Sequence, residues 1–331
     1  MWSKEKRLTK NQKKYLNILI KLTIVALALW FVYSKVDNQS NLATFTKLVE
    51  GLDSFVLNSA LVIVVVMMFG NWALEIVKWK FLVRSLERIS FWTATKSVFC
   101  GLTWAIFTPN RIGEYGGRIM LLESDNRAKG AVLMGVGMFA QLVLTSFFGS
   151  LSIAWFITTF LETPASVGFG VWLIAIIYAL AFVVLYFNVQ WIDHLVGKFS
   201  FLKKIRPFFD VLLVVNQREL LYVLMLSLLR FTIFTSQYIL LMMIIIPDIP
   251  MMSMVLMIFI LFFVQSVVPT LDIFDFSVRS FVASNLYAYV TTQEIAVMAI
   301  VSCIWFVNLI LPAIIGSFFV LNVNYISDNN T

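Results

Sequence analysis

Charge is scarce in this chain. Acidic and basic side chains make up 13% of it, against 60% hydrophobic residues and a mean hydropathy of +0.90. That leaves too little polar surface to clothe a water-soluble globule, so the soluble classes are excluded. Histidine is nearly missing: His194 stands alone in a basic connection, and the two cysteines, Cys100 and Cys303, lie far apart inside hydrophobic runs. No metal or haem site and no disulfide is therefore expected, and each thiol counts as a small apolar residue. Strand-length segments of alternating polarity are absent, which excludes a transmembrane β-barrel. No nucleotide-binding motif occurs, so any active transport has to draw on a gradient or a partner.

What fills the chain instead is long apolar runs. Residues 16–33, 55–77, 131–158, 168–188, 220–246 and 294–321 each approach or exceed the ~20 residues that cross a hydrocarbon core as helix. The fold class is an all-α polytopic membrane protein, with 1–331 as one membrane domain. The first run exceeds the ~15-residue limit of a cleaved signal core and no small-x-small site follows Tyr33, so it is expected to be the first span. Residues 1–14 carry Lys4, Lys6, Arg7, Lys10, Lys13 and Lys14 against Glu5, which puts the N-terminus in the cytoplasm. The connections 78–96 and 189–219 are rich in Lys and Arg, whereas 159–167 and 247–250 have none and 34–54 has only Lys35 and Lys47. The net charge of +7 is thus a topology signal, and nucleic acid is not an expected partner.

Two further hydrophobic stretches, 91–108 and 251–269, each end in a proline-led charged motif. The first motif is Thr108-Pro109-Asn110-Arg111-Ile112-Gly113-Glu114-Tyr115-Gly116-Gly117-Arg118. The second is Pro269-Thr270-Leu271-Asp272-Ile273-Phe274-Asp275-Phe276-Ser277-Val278-Arg279. Read as re-entrant hairpins, they divide the chain into repeat halves 16–158 and 168–321, each of three spans and one hairpin. Three is odd, so the halves are inverted and a substrate site is expected at their interface. Read as ordinary spans, the same stretches give eight crossings. In either case 189–219, where Trp191, Leu195, Val196, Phe199, Phe201 and Leu202 alternate with lysines, is expected to lie along the cytoplasmic membrane surface as an amphipathic connection.

In the first motif Thr108 is expected to cap a short helix with Pro109 in its first turn, and Gly113 allows close backbone approach. Glu114 and Arg118 share a face four residues apart, which leaves Arg111 without a local partner and able to grip a phosphate. In the second motif Asp272 is the expected N-cap, with Asp275 three residues on and Arg279 one turn beyond it. Arg230 falls inside an apolar run, where a charge costs ~2.5–3.5 kcal/mol, so it needs a partner; Glu75 and Asp275 are the acids able to meet it, and Gln237 extends its polar stripe. Glu75, between Asn71 and Lys78, is compatible with either a functional role or interfacial chemistry.

The order of these elements resembles a known family. Asn71…Glu75-x-x-Lys78-Trp79, Pro109-x-Arg111-x-Gly113-Glu114-x-x-x-Arg118, Ser227-Leu228-Leu229-Arg230, Val268-Pro269 with Arg279, and Trp305-x-x-Asn308-x-x-x-Pro312-x-x-x-Gly316 are similar to the lysylphosphatidylglycerol synthase transmembrane region. This is the flippase-like domain of bacterial multiple-peptide-resistance proteins. Asp272, Phe274, Asp275 and Ser277 stand where that family commonly has glycines and a Gly-x-Arg-Glu sequence. Full-length synthases continue into a soluble aminoacyl-transfer domain, whereas this sequence stops at Thr331. The resemblance therefore implies a stand-alone flippase-like protein of the bacterial cytoplasmic membrane, without the aminoacyl-tRNA-dependent reaction.

The function expected from these readings is movement of an anionic phospholipid or polyprenyl-phosphate lipid between leaflets, with no cofactor and no catalytic residue. Arg111, Arg118, Arg230 and Arg279 are the expected phosphate contacts, with Glu114 and Asp275 balancing them. Asn71, Glu75, Pro109, Gly113, Pro269 and Asp272 are the expected supports. Two alternatives belong to other classes: a Mg²⁺-dependent lipid transferase built on Asp272 and Asp275, or a scaffold subunit for a separate lipid-modifying enzyme.

Overall fold

The computed structural model describes residues 47, 50–108, 111–199, 204–268 and 272–321, and of 272–277 the backbone only. The expected first span 16–33, Pro109, Pro269 and the C-terminal tail lie outside the described residues. Those described build an all-α bundle, with five stretches long and apolar enough to cross a membrane: Ser54–Val83, Ser124–Phe160, Ala165–Phe187, Gln217–Ile245 and Glu294–Leu321.

Local sequence sets the helix starts. The Asp53 carboxylate accepts from Phe55 N–H at 2.8 Å and opens α1, Ser54–Val83. Ser90 accepts from Thr93 N–H at 3.0 Å to open α2, Phe91–Ala105. After α3, Ile112–Ile119, a 3₁₀ turn leads into α4, Arg127–Phe160, and α5, Ala165–Phe187, returns alongside it. The short helices α6 (Trp191–Lys198), α7 (Arg206–Phe209) and α8 (Val211–Val214) form the connection between the halves. They expose Trp191, Ile192, Leu195 and Phe199, the apolar face that an interfacial element presents to lipid. Asp193 is buried there 3.4 Å from Arg206; this hydrogen bond, then the carboxylate charge, hold the guanidinium above its ordinary pKa.

An Asn216–Glu219 capping box starts α9, Gln217–Ile245. This helix packs antiparallel on α1: Arg84 meets Glu219 at 2.6 Å, Lys78 meets Ser227 at 3.4 Å, and Gln237 donates to Val64 C=O at 2.8 Å. Between α4, α9 and α10 (Met251–Val267), Phe148, Phe231 and Phe259 cluster with centroids 5.2 to 5.3 Å apart, Phe148 stacked on Phe231 and Phe259 tilted against both.

The helices on either side of each charged motif pack as a pair. In the first pair the Glu87 carboxylate, just before α2, accepts from Glu123 N–H at 3.0 Å and Asn126 Nδ2 at 2.9 Å, just after α3. The start of α2 and the end of α3 therefore lie at the same end of the bundle. A side chain on Gly117 would come within 2.6 Å of the Gly101 backbone, so only glycine allows α2 and α3 this close. In the second pair, α10 and α11 (Asp272–Tyr287), the Tyr287 hydroxyl donates to Met254 C=O at 2.9 Å, returning the chain to where α10 began. Because α1 and α9 are antiparallel and each leads directly into one pair, the two pairs enter from opposite ends. Asp272 lies within α11 rather than before it; its side chain and that of Asp275 lie outside the described residues. The ends differ in charge: at one, Arg84, Arg88, Arg127, Lys129 and Arg218 outnumber Glu87, Glu123, Asp125 and Glu219, while Asp53, Glu162, Asp248 and Glu294 lie at the other.

The last element serves both pairs. Its first part, α12 (Glu294–Trp305), packs on α11, and its last part, α13 (Leu311–Leu321), packs on α2, with a π-helical turn Phe306–Ile310 between them. Pro312 lacks the N–H that would continue the ladder to Asn308 C=O, which accounts for the break at this point. Where α13 meets α2, a Cβ on Gly316 would fall 2.2 Å from Phe99 C=O. Gly316→Ala is accordingly expected to force backbone displacement and cost roughly 1–3 kcal/mol, read as a lower unfolding midpoint in detergent; an unchanged midpoint would refute this packing.

Candidate functional site

The site begins with a carboxylate that serves several cations. Glu75, on α1, is buried and accepts from Lys78 Nζ at 2.8 Å, from Arg118 Nη1 at 2.6 Å and from Arg230 Nη1. Arg118, one turn after Glu114 on α3, also pairs with Glu114. Arg111 completes the chain, with its Nε 3.0 Å from Glu114. Among the described side chains, four cations thus share two carboxylates inside an apolar bundle. Arg230 is oriented further by Asn71 Oδ1 at 2.9 Å from its Nε, and its guanidinium carbon lies 5.2 Å from the centre of the Trp72 ring.

Glu75, Lys78, Arg111, Glu114 and Arg230 face a cavity of about 480 Å³. One wall is cationic and comes from both halves: Lys78 and Glu75 from α1, Arg111 and Glu114 at α3, Arg230 from α9 and Arg279 from α11. The other is neutral, with Gln141 and Thr145 one turn apart on α4 and Gln265 and Ser266 at the end of α10.

Several expectations need correction. Arg111 has a local partner, Glu114, because it takes the cap position itself with φ 56°, which turns its side chain back along the short helix. It is the one non-glycine residue with positive φ among those described. Thr108 is consequently not the cap. Its hydroxyl instead accepts from Gly113 N–H at 2.6 Å, bracing the turn. Arg118, expected at the phosphate, is 3% exposed and lies behind the cavity wall between Glu75 and Glu114, so it holds the wall together. Gln237 accepts from Asn308 and donates to Val64 C=O, away from Arg230's ion pair.

Of the expected residues, Arg111, Glu114, Arg230 and Arg279 meet at this cavity, with Glu75 among them and Asn71 holding Arg230. Sequence reasoning missed Lys78 as a site residue because its spacing from Glu75 reads equally well as interfacial; in the structure it is buried, bonded to Ser227 and Gly137 C=O. It also missed Gln141 and Thr145. The signal for these was small or polar residues at 137, 141 and 145, one turn apart in an otherwise apolar run. Gln265 and Ser266, at the end of 251–267, carried no comparable pattern.

The family model described as lysylphosphatidylglycerol synthase TM region matches residues 18–316. No curated protein and no solved structure matches the chain. With nearly the full length covered and the apolar spans in place, this is an integral membrane protein related to lipid handling, and the chain belongs to the lysylphosphatidylglycerol synthase TM region family.

Proposed function

We propose that this protein moves an anionic lipid, a phospholipid or a polyprenyl phosphate, between the leaflets of the bacterial cytoplasmic membrane, with its N-terminus in the cytoplasm. The observation that carries this reading is the convergence of Arg111, Arg230 and Arg279, from both halves of the chain, on one cavity inside an apolar bundle. A headgroup phosphate is an anion that planar guanidinium groups bind with two parallel hydrogen bonds. The phosphate must pass ~30 Å of hydrocarbon, and Arg111, Arg230 and Arg279 replace part of its hydration on the way. Glu114 keeps Arg111, and Glu75 keeps Arg230, in place when no lipid is bound. The reading assigns the chain no chemical reaction.

The test is reconstitution. Vesicles containing the purified protein and a tail-labelled fluorescent anionic lipid are treated with external dithionite, which bleaches only label in the outer leaflet. Protein-containing vesicles are expected to lose nearly all fluorescence as inner-leaflet lipid is brought out. A plateau matching protein-free vesicles would remove the flippase reading.

A further inference from the structure

Trp72 lines the cavity on the same face of α1 as Glu75 and Lys78, each three residues from the next. It is 5% exposed, and its indole Nε1 is shielded from solvent with no hydrogen-bond partner among the described residues. An indole N–H donates and never accepts. Only an acceptor answers it, and folded proteins seldom leave such a donor buried and unpaired. Arg230 does not use it: the guanidinium carbon lies over the ring, 5.2 Å from its centre, whereas the N–H bond lies in the ring plane. Glu75, three residues on, is taken up by Lys78, Arg118 and Arg230. Gln265 Nε2 is a second shielded and unpaired donor group on a residue of the cavity lining, but the unpaired Gln141 Oε1 of the same neutral wall is an acceptor of the kind that answers it. The Trp72 N–H has no such counterpart among the shielded atoms of that lining.

The arginines leave work for a further donor. Arg230 already gives Nε to Asn71 and Nη1 to Glu75, and Arg111 directs its Nε to Glu114. An anion entering the cavity therefore meets these two guanidinium groups with part of each fork engaged by the protein. A neutral donor strengthens the grip without bringing a charge that needs its own carboxylate. We infer that Trp72 is a phosphate-binding residue, its indole N–H donating to an unesterified oxygen of the headgroup phosphate that Arg230 holds beside it. One side chain then has two tasks: the face of the ring steadies the arginine and its edge contacts the ligand. This inference rests on the lipid-moving reading and adds to it a binding residue that carries no charge.

The experiment separates the edge of the ring from its face. Trp72→Phe keeps an aromatic face and loses the N–H; benzothienylalanine at position 72 keeps the whole bicycle, with sulfur in place of the N–H, and serves even where the smaller ring prevents folding. Both are expected to slow movement of tail-labelled phosphatidylglycerol roughly tenfold, the effect of one hydrogen bond to a charged group, with an unfolding midpoint close to wild type. A second readout compares that lipid with its two phosphorothioate diastereomers, in which sulfur, a weak acceptor, replaces one unesterified oxygen. Wild-type protein is expected to move the oxygen lipid faster than at least one diastereomer, and either replacement of Trp72 is expected to narrow that ratio. If Trp72 only supported Arg230, its replacement would slow all three lipids alike and leave the ratios unchanged. That outcome would overturn the inference, as would wild-type rates in both replacements, and each would leave the flippase reading intact. Wild-type protein that moves no lipid would remove that reading and this inference with it.

Discussion

Glu75→Ala is expected to be the most damaging single substitution in the described part of the protein. The Glu75 carboxylate receives Lys78, Arg118 and Arg230, from two halves of the chain, and is buried. Without it, Lys78 keeps only long contacts to Ser227 and Gly137 C=O, at 3.4 and 3.5 Å, and three cations lose their common counter-charge. Leaving a buried charge uncompensated costs about 3–5 kcal/mol, enough to abolish folding of a marginally stable membrane domain. The readout is the yield and unfolding midpoint of detergent-purified protein. Glu75→Gln keeps the shape but not the charge and is expected to show a smaller loss. Adding Lys78→Met to Glu75→Gln removes one stranded cation and is expected to recover part of it, a non-additivity that marks direct coupling. Wild-type stability in Glu75→Ala would show that the network does not hold the bundle together.

Arg230→Ala and Arg111→Ala are expected to behave in the opposite way, sparing the fold and removing transport. Loss of Arg230 leaves Glu75 with Lys78 and Arg118; loss of Arg111 leaves Glu114 with Arg118. Neither carboxylate is stranded. At the cavity, however, the phosphate loses a charge-assisted pair worth about 1.5–3 kcal/mol. Lipid movement should therefore fall roughly tenfold to hundredfold, close to the protein-free rate, at matched reconstitution. Arg111→Lys should restore part of it, since lysine supplies the charge without the planar fork. Because Arg111 holds a left-handed φ of 56°, Arg111→Gly serves as a control that relaxes the backbone and still lacks the guanidinium. Wild-type kinetics in all of these variants would separate the arginines from lipid movement.

These opposite expectations follow from position within one network. Glu75 has three partners that depend on it, whereas Arg111 and Arg230 lie at the edge of the network, 33% and 17% exposed at their side chains, where a ligand can reach them. Arg118, which bridges both carboxylates at 3% exposure, belongs with Glu75. Its replacement should act on stability before transport.

The sequence by itself determined the long apolar helices among the described residues, because the length and apolarity of a run are local properties and a membrane satisfies no backbone group outside helix or closed barrel. It determined that Arg230 needs a polar partner, since charge within such a run is costly wherever the chain folds, and that Glu114 and Arg118 pair, since four residues make one helical turn. The order of its short motifs also pointed to the family. Tertiary structure alone decided which acid meets Arg230, because Glu75 lies 155 residues away and reaches it only through the antiparallel packing of α1 and α9. It decided that Arg111 turns back to Glu114, since a left-handed arginine contradicts local preference and is held by the turn closing α2 onto α3. It made Lys78 a buried partner rather than an interfacial charge. It also formed the neutral wall, because Gln141 and Gln265 come from helices that meet by fitting Phe263 against Gly149, a match of surfaces that neither segment displays alone.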